Sequence, residues 1–331
     1  MSIYAELARE YQELARSSLK EITAPFQDGH TRIVINPKYL AKHRTSAEAM
    51  KLSLDVNVWK IASLGTVQEL VGMGTTQHKG LPVIAPKIGH RKEIGLFVKP
   101  QDLFGARTEY KNATIALDRG VPNPQMVGVI EKDDESLIIS ELLPSAEPLS
   151  LRRLDYMKQD PRIYSARAFL IDFLLPIADA HEKGVAFCDL HLGNLGYRYS
   201  GNHRPGKIFF DLETAMVLDD LDLSKKKKGT YSGQVKPTSW RQFEKYAIED
   251  IATFFANLSE AKFAMDESEL MQYGWQTYNA LRVHPIAEHI PDEEALDILY
   301  QTYLKTIFSM QDHREKQDSL SEVKSTVQVE H

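Results

Sequence analysis

Asp189 and Asn194 stand five positions apart in Val185-Ala-Phe-Cys-Asp-Leu-His-Leu-Gly-Asn-Leu-Gly196, and Asp211 ends the apolar run Lys207-Ile-Phe-Phe-Asp211, with Glu213 two residues on. An acid, an amide and a second acid suit one chemistry in particular. Moving a phosphoryl group needs a carboxylate to orient the attacking hydroxyl and accept its proton, and a divalent cation to neutralise charge building on the phosphate oxygens. Mg²⁺ favours oxygen ligands, which an amide and a carboxylate supply. The Asp-x-x-x-x-Asn spacing recurs by chance, and the competing reading is a helix, a turn and a hairpin with incidental acids. Context gives the motif weight. An apolar helical pattern from Tyr164 to Lys183 comes first and closes on His181-Glu-Lys-Gly184. A hairpin pattern, LGYRY and KIFFD about Ser200 to Gly206, follows.

This arrangement resembles the catalytic loop of the protein-kinase-like superfamily, whose signature is an Asp, an Asn at +5 and a metal-binding Asp after the next hairpin. The Asp-Leu-His-x-x-Asn form is closer to the branch that holds aminoglycoside phosphotransferases, lipopolysaccharide kinases and atypical kinases. The resemblance implies an α+β, bilobal protein-kinase-like fold. Its N-lobe would be a small antiparallel β-sheet with one main helix, and its C-lobe larger and mostly helical. It implies ATP and Mg²⁺ as cofactors, Asp189 as the catalytic base, Asn194 as a metal ligand, Asp211 as the main metal ligand and Glu213 as an aid to a second metal. His191 reads better as a brace of the loop than as a catalyst.

Upstream, Leu96-Phe-Val-Lys99 resembles the Val-Ala-Ile-Lys strand that holds the α- and β-phosphates of ATP. The helix after it offers Glu109, followed by Gly120-Val-Pro-Asn-Pro124, a spacing that resembles the aminoglycoside phosphotransferases and makes Glu109 the ion-pair partner of Lys99. Leu137-Ile-Ile-Ser-Glu141-Leu-Leu-Pro resembles the hinge between lobes, where backbone groups of Glu141, Leu142 and Leu143 would bind adenine. Gly72 and Gly74, in Leu70-Val-Gly-Met-Gly-Thr-Thr-Gln-His-Lys-Gly80, are candidates for a phosphate-covering loop, since glycines let backbone N–H groups approach phosphates closely. A plain hairpin turn reads that stretch equally well.

The chain also departs from the kinase pattern. Phe187 and Cys188 replace the His and Arg of His-Arg-Asp, Glu213 replaces the Gly of Asp-Phe-Gly, and no Ala-Pro-Glu segment occurs. Without that Arg, switching through a phosphorylated activation loop is not expected. A small molecule or a glycan is therefore the favoured acceptor. The alternatives are an atypical Ser/Thr protein kinase and an idle pseudokinase serving as a nucleotide-gated binding module. Lys225 to Lys228, after the acidic cluster at 219–222, read as a solvated loop or as a surface for an acidic partner. Cys188 reads as a small packing residue, and Asp250 either as a buried brace of the catalytic loop or as an exposed acid.

The elements that must carry these residues are legible in outline. An amphipathic helix is expected over the first 22 residues, on Tyr4, Leu7, Tyr11 and Leu14. From Val56 to Ile139 short apolar runs alternate with turns (WKIASLG, QELVGMG, LPVIAP, EIGLFVKP, MVGVI, SLIIS), interrupted by a helix over 102–119. The expected divisions are 1–55 as a helical extension, 56–143 as N-lobe, 144–310 as C-lobe and 311–331 as a polar, disordered tail. Pro176 is expected to kink or break its helix. With 331 residues, 43% of them hydrophobic, the chain can bury a sizeable core. A net charge of −6 gives no general pull toward nucleic acid or anionic membrane. One cysteine excludes an internal disulfide and suits a reducing compartment. The N-terminus lacks a secretory pattern and no apolar run is long enough to span a bilayer, so a cytoplasmic location is expected.

Overall fold

The computed structural model of the chain describes residues 22–25, 31–43, 81–86, 93–132, 135–141, 143, 146–149, 166–198, 206–218, 237–261, 263, 265–284 and 286–329. The expected N-terminal amphipathic helix, the strands at 59–74, Gly72, Gly74, Leu142 and Lys225 to Lys228 lie outside the described residues. The architecture is mixed α+β, and the chain divides into two compact units, residues 1–147 with 197–214 and residues 148–196 with 215–331.

The first unit is built on an antiparallel sheet of six strands: β1 (Ile22–Pro25), β2 (Thr31–Ile35), β3 (Leu81–Pro86), β4 (Glu93–Asp102), β5 (Met126–Lys132) and β6 (Glu135–Glu141), in the order β1-β2-β5-β6-β4-β3. The last four are the runs whose alternation predicts strands. The first two, with the short helix α1 (Pro37–His43), stand where a helical extension was expected. Thr31-Arg-Ile-Val-Ile35 is rich in β-branched residues, which fit a pleated surface, and pairing it with β5 buries Val34 and Ile35. A register shift between Met126 and Gly128 lets Asn36 turn the chain there. Its N–H donates to the Val127 carbonyl at 2.8 Å and its Nδ2 to the Met126 carbonyl at 3.0 Å. Only glycine fits at 128, because a Cβ would stand 2.2 Å from the Val34 carbonyl oxygen.

Helix α2 (Leu103–Asp118) follows β4 directly, capped by Asp102, whose Oδ1 accepts the Gly105 N–H at 2.8 Å. The helix ends at Gly120, whose φ of 76° is the left-handed conformation that glycine adopts cheaply. Glu109, Tyr110, Asn112, Ala113 and Ala116 form its buried face, which packs on β5 and β6.

In the second unit, α3 (Ala166–Glu182) buries Phe169, Leu170, Phe173, Leu174, Ile177 and Ala178. Pro176 lies inside it without breaking it. A proline removes a single N–H bond, and the buried residues on both sides hold the turns that flank it. Two short strands, Val185–Ala186 and Met216–Val217, pair antiparallel. Among the described residues the unit also holds the α-helices α4 (Pro237–Glu260), α5 (Glu267–Leu281) and α6 (Asp292–Val329). Arg282, its side chain fully buried, grips both Glu244 oxygens at 2.5 and 2.9 Å and reaches Glu182 Oε1 at 3.0 Å, tying the end of α3 to α4. Helix α6 continues through the polar segment from Gln311 where a disordered tail was expected. That segment is rich in Glu, Lys, Gln and Arg, all good helix formers. No described helix is long and apolar enough to cross a membrane.

Candidate active site

Lys99, in β4 of the first unit, meets Glu109 of α2 across the space between sheet and helix, Nζ to Oε2 at 3.1 Å. The same ammonium lies 2.9 Å from Asp211 Oδ1 and 3.6 Å from Glu213 Oε2. Two hydrogen bonds fix the segment that carries the last two acids. The Phe209 N–H, in the short strand Gly206–Phe209, donates to the Pro122 carbonyl at 2.9 Å, and Asn112 Nδ2 donates to the Leu212 carbonyl at 3.1 Å. So the turn Val121-Pro-Asn-Pro124 and one face of α2 together hold Asp211 in place. Asp211 itself has a φ of 52°, a conformation unfavourable for a residue with a Cβ.

Electrostatics in this cluster are lopsided. Burial pushes the Glu109 carboxyl up to about 7; the nearby Lys99 charge opposes this, and Asp211 and Glu213 reinforce it. Burial would lower Lys99, but the charges of Glu109 and Asp211 outweigh it and hold the ammonium above its ordinary value. Both partners therefore shift the same way, which a simple ion pair would not show. One ammonium faces three carboxylates, so one acid can keep a proton while the lysine stays charged. Glu109, Asp211 and Glu213 each offer an oxygen within 4.8 Å of the others. An all-carboxylate set with uncompensated negative charge fits a hard divalent cation such as Mg²⁺.

The loop from Phe187 to Asn194 lies in the second unit. The His191 N–H and Asn194 Nδ2 both donate to the Asp189 carbonyl at 3.0 Å, the Asn194 N–H donates to the His191 carbonyl at 2.9 Å, and the Gly193 N–H donates to His191 Nδ1 at 2.9 Å. Accepting at Nδ1 makes His191 a brace within the loop; its Nε2 is 3.7 Å from Asp189 Oδ2. The Asp189 side chain is 52% exposed, while Asn194 is buried. Just before Asp189, Cys188 has a φ of 59°; with Asp211 it completes the pair of non-glycine residues at positive φ among the described residues. Its thiol is pushed up to about 12 by desolvation and by Asp250, Glu249 and Asp189, although the residue touches solvent.

Beneath this loop Asp250 of α4 is buried, and its Oδ2 accepts from the Phe187 N–H at 2.6 Å and from His181 Nε2 at 3.0 Å. His181 Nδ1 in turn meets the Tyr278 hydroxyl at 2.6 Å. A carboxylate can only accept, so Nε2 carries a proton toward Asp250, and in the neutral ring Nδ1 then accepts from Tyr278. Of the two readings of Asp250, the buried one describes what is seen.

The expected hinge residues are placed at the end of β6. The Glu141 N–H donates to the Gln125 carbonyl at 2.9 Å, and the Leu143 carbonyl accepts the Ala146 N–H at 2.9 Å. Sequence reasoning missed what stands beside Glu141. Lys42 Nζ reaches Gln125 Oε1 at 2.8 Å and lies 3.6 Å from Glu141 Oε2, and Tyr39 is fully buried, its phenol raised by burial and by Glu141. Some eighty to one hundred residues separate these partners along the chain. The only local signal was the β-branched run of β2, which announces a strand and not its neighbours.

No family profile matches the chain, and no curated protein matches it. Among solved structures it is similar to WaaP in complex with acyl carrier protein, at 16% identity and a TM-score of 0.49, over 83% of this chain and 99% of that one. It is also similar to the PknI kinase domain of Mycobacterium tuberculosis in two double-mutant forms, at 12% and 14% identity and a TM-score of 0.36, over 68% of this chain and 91% of those.

Proposed function

We propose that the chain is an ATP- and Mg²⁺-dependent phosphotransferase that moves the γ-phosphoryl group to a hydroxyl, with a small molecule or glycan as acceptor. The observation that carries this reading is Lys99 held between Glu109 and Asp211, at 3.1 and 2.9 Å. A half-buried lysine fixed by a helix glutamate is a point charge placed for phosphate oxygens. Asp211 and Glu213 would hold Mg²⁺, and Asn194 would offer its amide oxygen as a further ligand, since its Nδ2 is engaged by the Asp189 carbonyl. The cation, when bound, neutralises charge on the phosphate oxygens.

Asp189 would orient the acceptor hydroxyl and take its proton, a role that suits an exposed carboxylate on a loop braced from below by Asp250. With the Glu141 N–H engaged by Gln125, adenine recognition would fall to backbone groups about Leu143. The absence of His-Arg-Asp and Ala-Pro-Glu segments supports a small acceptor over a protein. The test is an ATP-consumption screen against pooled metabolites, glycans and generic protein substrates, with Asp211→Ala as the blank. Turnover no higher than the blank in every pool would defeat the enzymatic reading. Turnover confined to the protein pool would defeat the acceptor class alone.

A further inference from the structure

Side chains two apart on a strand leave the sheet on the same side, so Gln101 of β4 points the way Lys99 does. Its amide ends against the first turn of α2, with Nε2 2.9 Å and Cγ 3.2 Å from where a Cβ on Gly105 would stand. Glu213 reaches the same spot, and its Oε1 is also 2.9 Å from that position. Gly105 has no side chain, so the two groups share the volume that a methyl group would fill. Both polar atoms of the Gln101 amide are shut off from solvent and make no hydrogen bond. A buried amide with both ends unpaired is costly, and such groups call for a reason.

Glu213 supplies the reason. Lys99 is within hydrogen-bonding range of Glu109 and Asp211, whereas Glu213 at 3.6 Å is an ion pair without a hydrogen bond. Its Oε2 faces the lysine and its Oε1 faces the Gly105 position, beside the idle amide. Gln101 Nε2 and Glu213 Oε1 each stand 2.9 Å from that same point, an amide donor beside a carboxylate acceptor. We propose that Gln101 and Gly105 are positioning residues for Glu213: Gly105 leaves the seat open, and the Gln101 amide donates to the carboxylate placed in it. This rests on the reading of the acid cluster as a site for a cation and phosphates.

The test uses the full chain, Mn²⁺ in place of Mg²⁺ and a non-hydrolysable ATP analogue, with free Mn²⁺ read by electron paramagnetic resonance. Gln101→Leu and Gly105→Ala are each made in the wild-type and in the Glu213→Gln background. In the wild-type background each should weaken Mn²⁺ binding by about tenfold, as loss of a group that orients a ligand does. In the Glu213→Gln background neither should weaken it further. Alanine is the better helix former, so the melting temperature of Gly105→Ala should be unchanged or higher, which separates lost positioning from lost folding. Wild-type affinity in both variants, or equal weakening in both backgrounds, overturns the proposal. Should the wild type bind no Mn²⁺ with the analogue, the cation-site reading falls first and this inference falls with it.

Discussion

The Asp250 carboxylate accepts the main-chain N–H of Phe187 at 2.6 Å, two residues ahead of Asp189. The same oxygen accepts from His181, and the other carboxylate oxygen is buried without a partner. Asp250→Ala should leave two buried donors unsatisfied and cost about 3 kcal/mol of stability. Asp250→Asn can place its amide oxygen where both donors converge, so it should cost less than half of that. Denaturant midpoints of the two variants check the order. An asparagine variant as unstable as the alanine variant would show that charge, not hydrogen bonding, holds the loop.

Asp189→Asn should cut turnover by about 10²- to 10⁴-fold, the usual worth of a positioned general base. Nucleotide affinity, measured with a fluorescent ATP analogue, should be unchanged. A variant with full turnover would remove Asp189 from the mechanism.

Glu109 titrates at about 7 in the folded chain against an ordinary value of 4.5. A carboxyl that binds its proton more tightly when folded stabilises the fold at low pH, and that contribution is lost as pH rises from its ordinary value through the folded one. Without metal or nucleotide, the wild type should therefore lose stability relative to Glu109→Gln between about pH 5 and pH 8. Lys99→Met removes the charge that pulls Glu109 down, so the loss should extend to higher pH. Thermal melts across that range check both, and parallel curves for wild type and Glu109→Gln would refute the shift.

Cys188 is the sole thiol of the chain, and its pKa is raised to about 12. Only the thiolate is nucleophilic. Alkylation by iodoacetamide at neutral pH should be more than tenfold slower than for free cysteine, read by mass spectrometry of the intact chain.

Much of the candidate site was legible because its signals are local. Lys99 follows an apolar strand, and a helix cap and a Gly-Val-Pro turn bracket Glu109; the structure brings the two within 3.1 Å of each other. The loop from Asp189 to Asn194 is likewise short, and four hydrogen bonds within it join residues five or fewer apart. What the sequence concealed depends on contacts between distant segments. Strands β1 and β2 are five residues or fewer, too short for periodicity to declare them, and what fixes them is the pairing of β2 with β5 and of β1 with β2. Gln101 was within reach of the alternation that marked Lys99. A polar residue at a strand end carries no signal of its own, however, and Gly105 and Glu213, which give it meaning, come later in the chain.

The pairing of β2 with β5 bears on solubility. Without residues 22–43, β5 would keep β6 on one side and become an edge strand on the other, with the N–H and C=O groups that now bond β2 left unpaired. An open edge of that kind recruits strands from other molecules. A fragment cut to begin at residue 56, the start of the expected N-lobe, should therefore self-associate, whereas one that keeps Ile22 onward should stay dispersed.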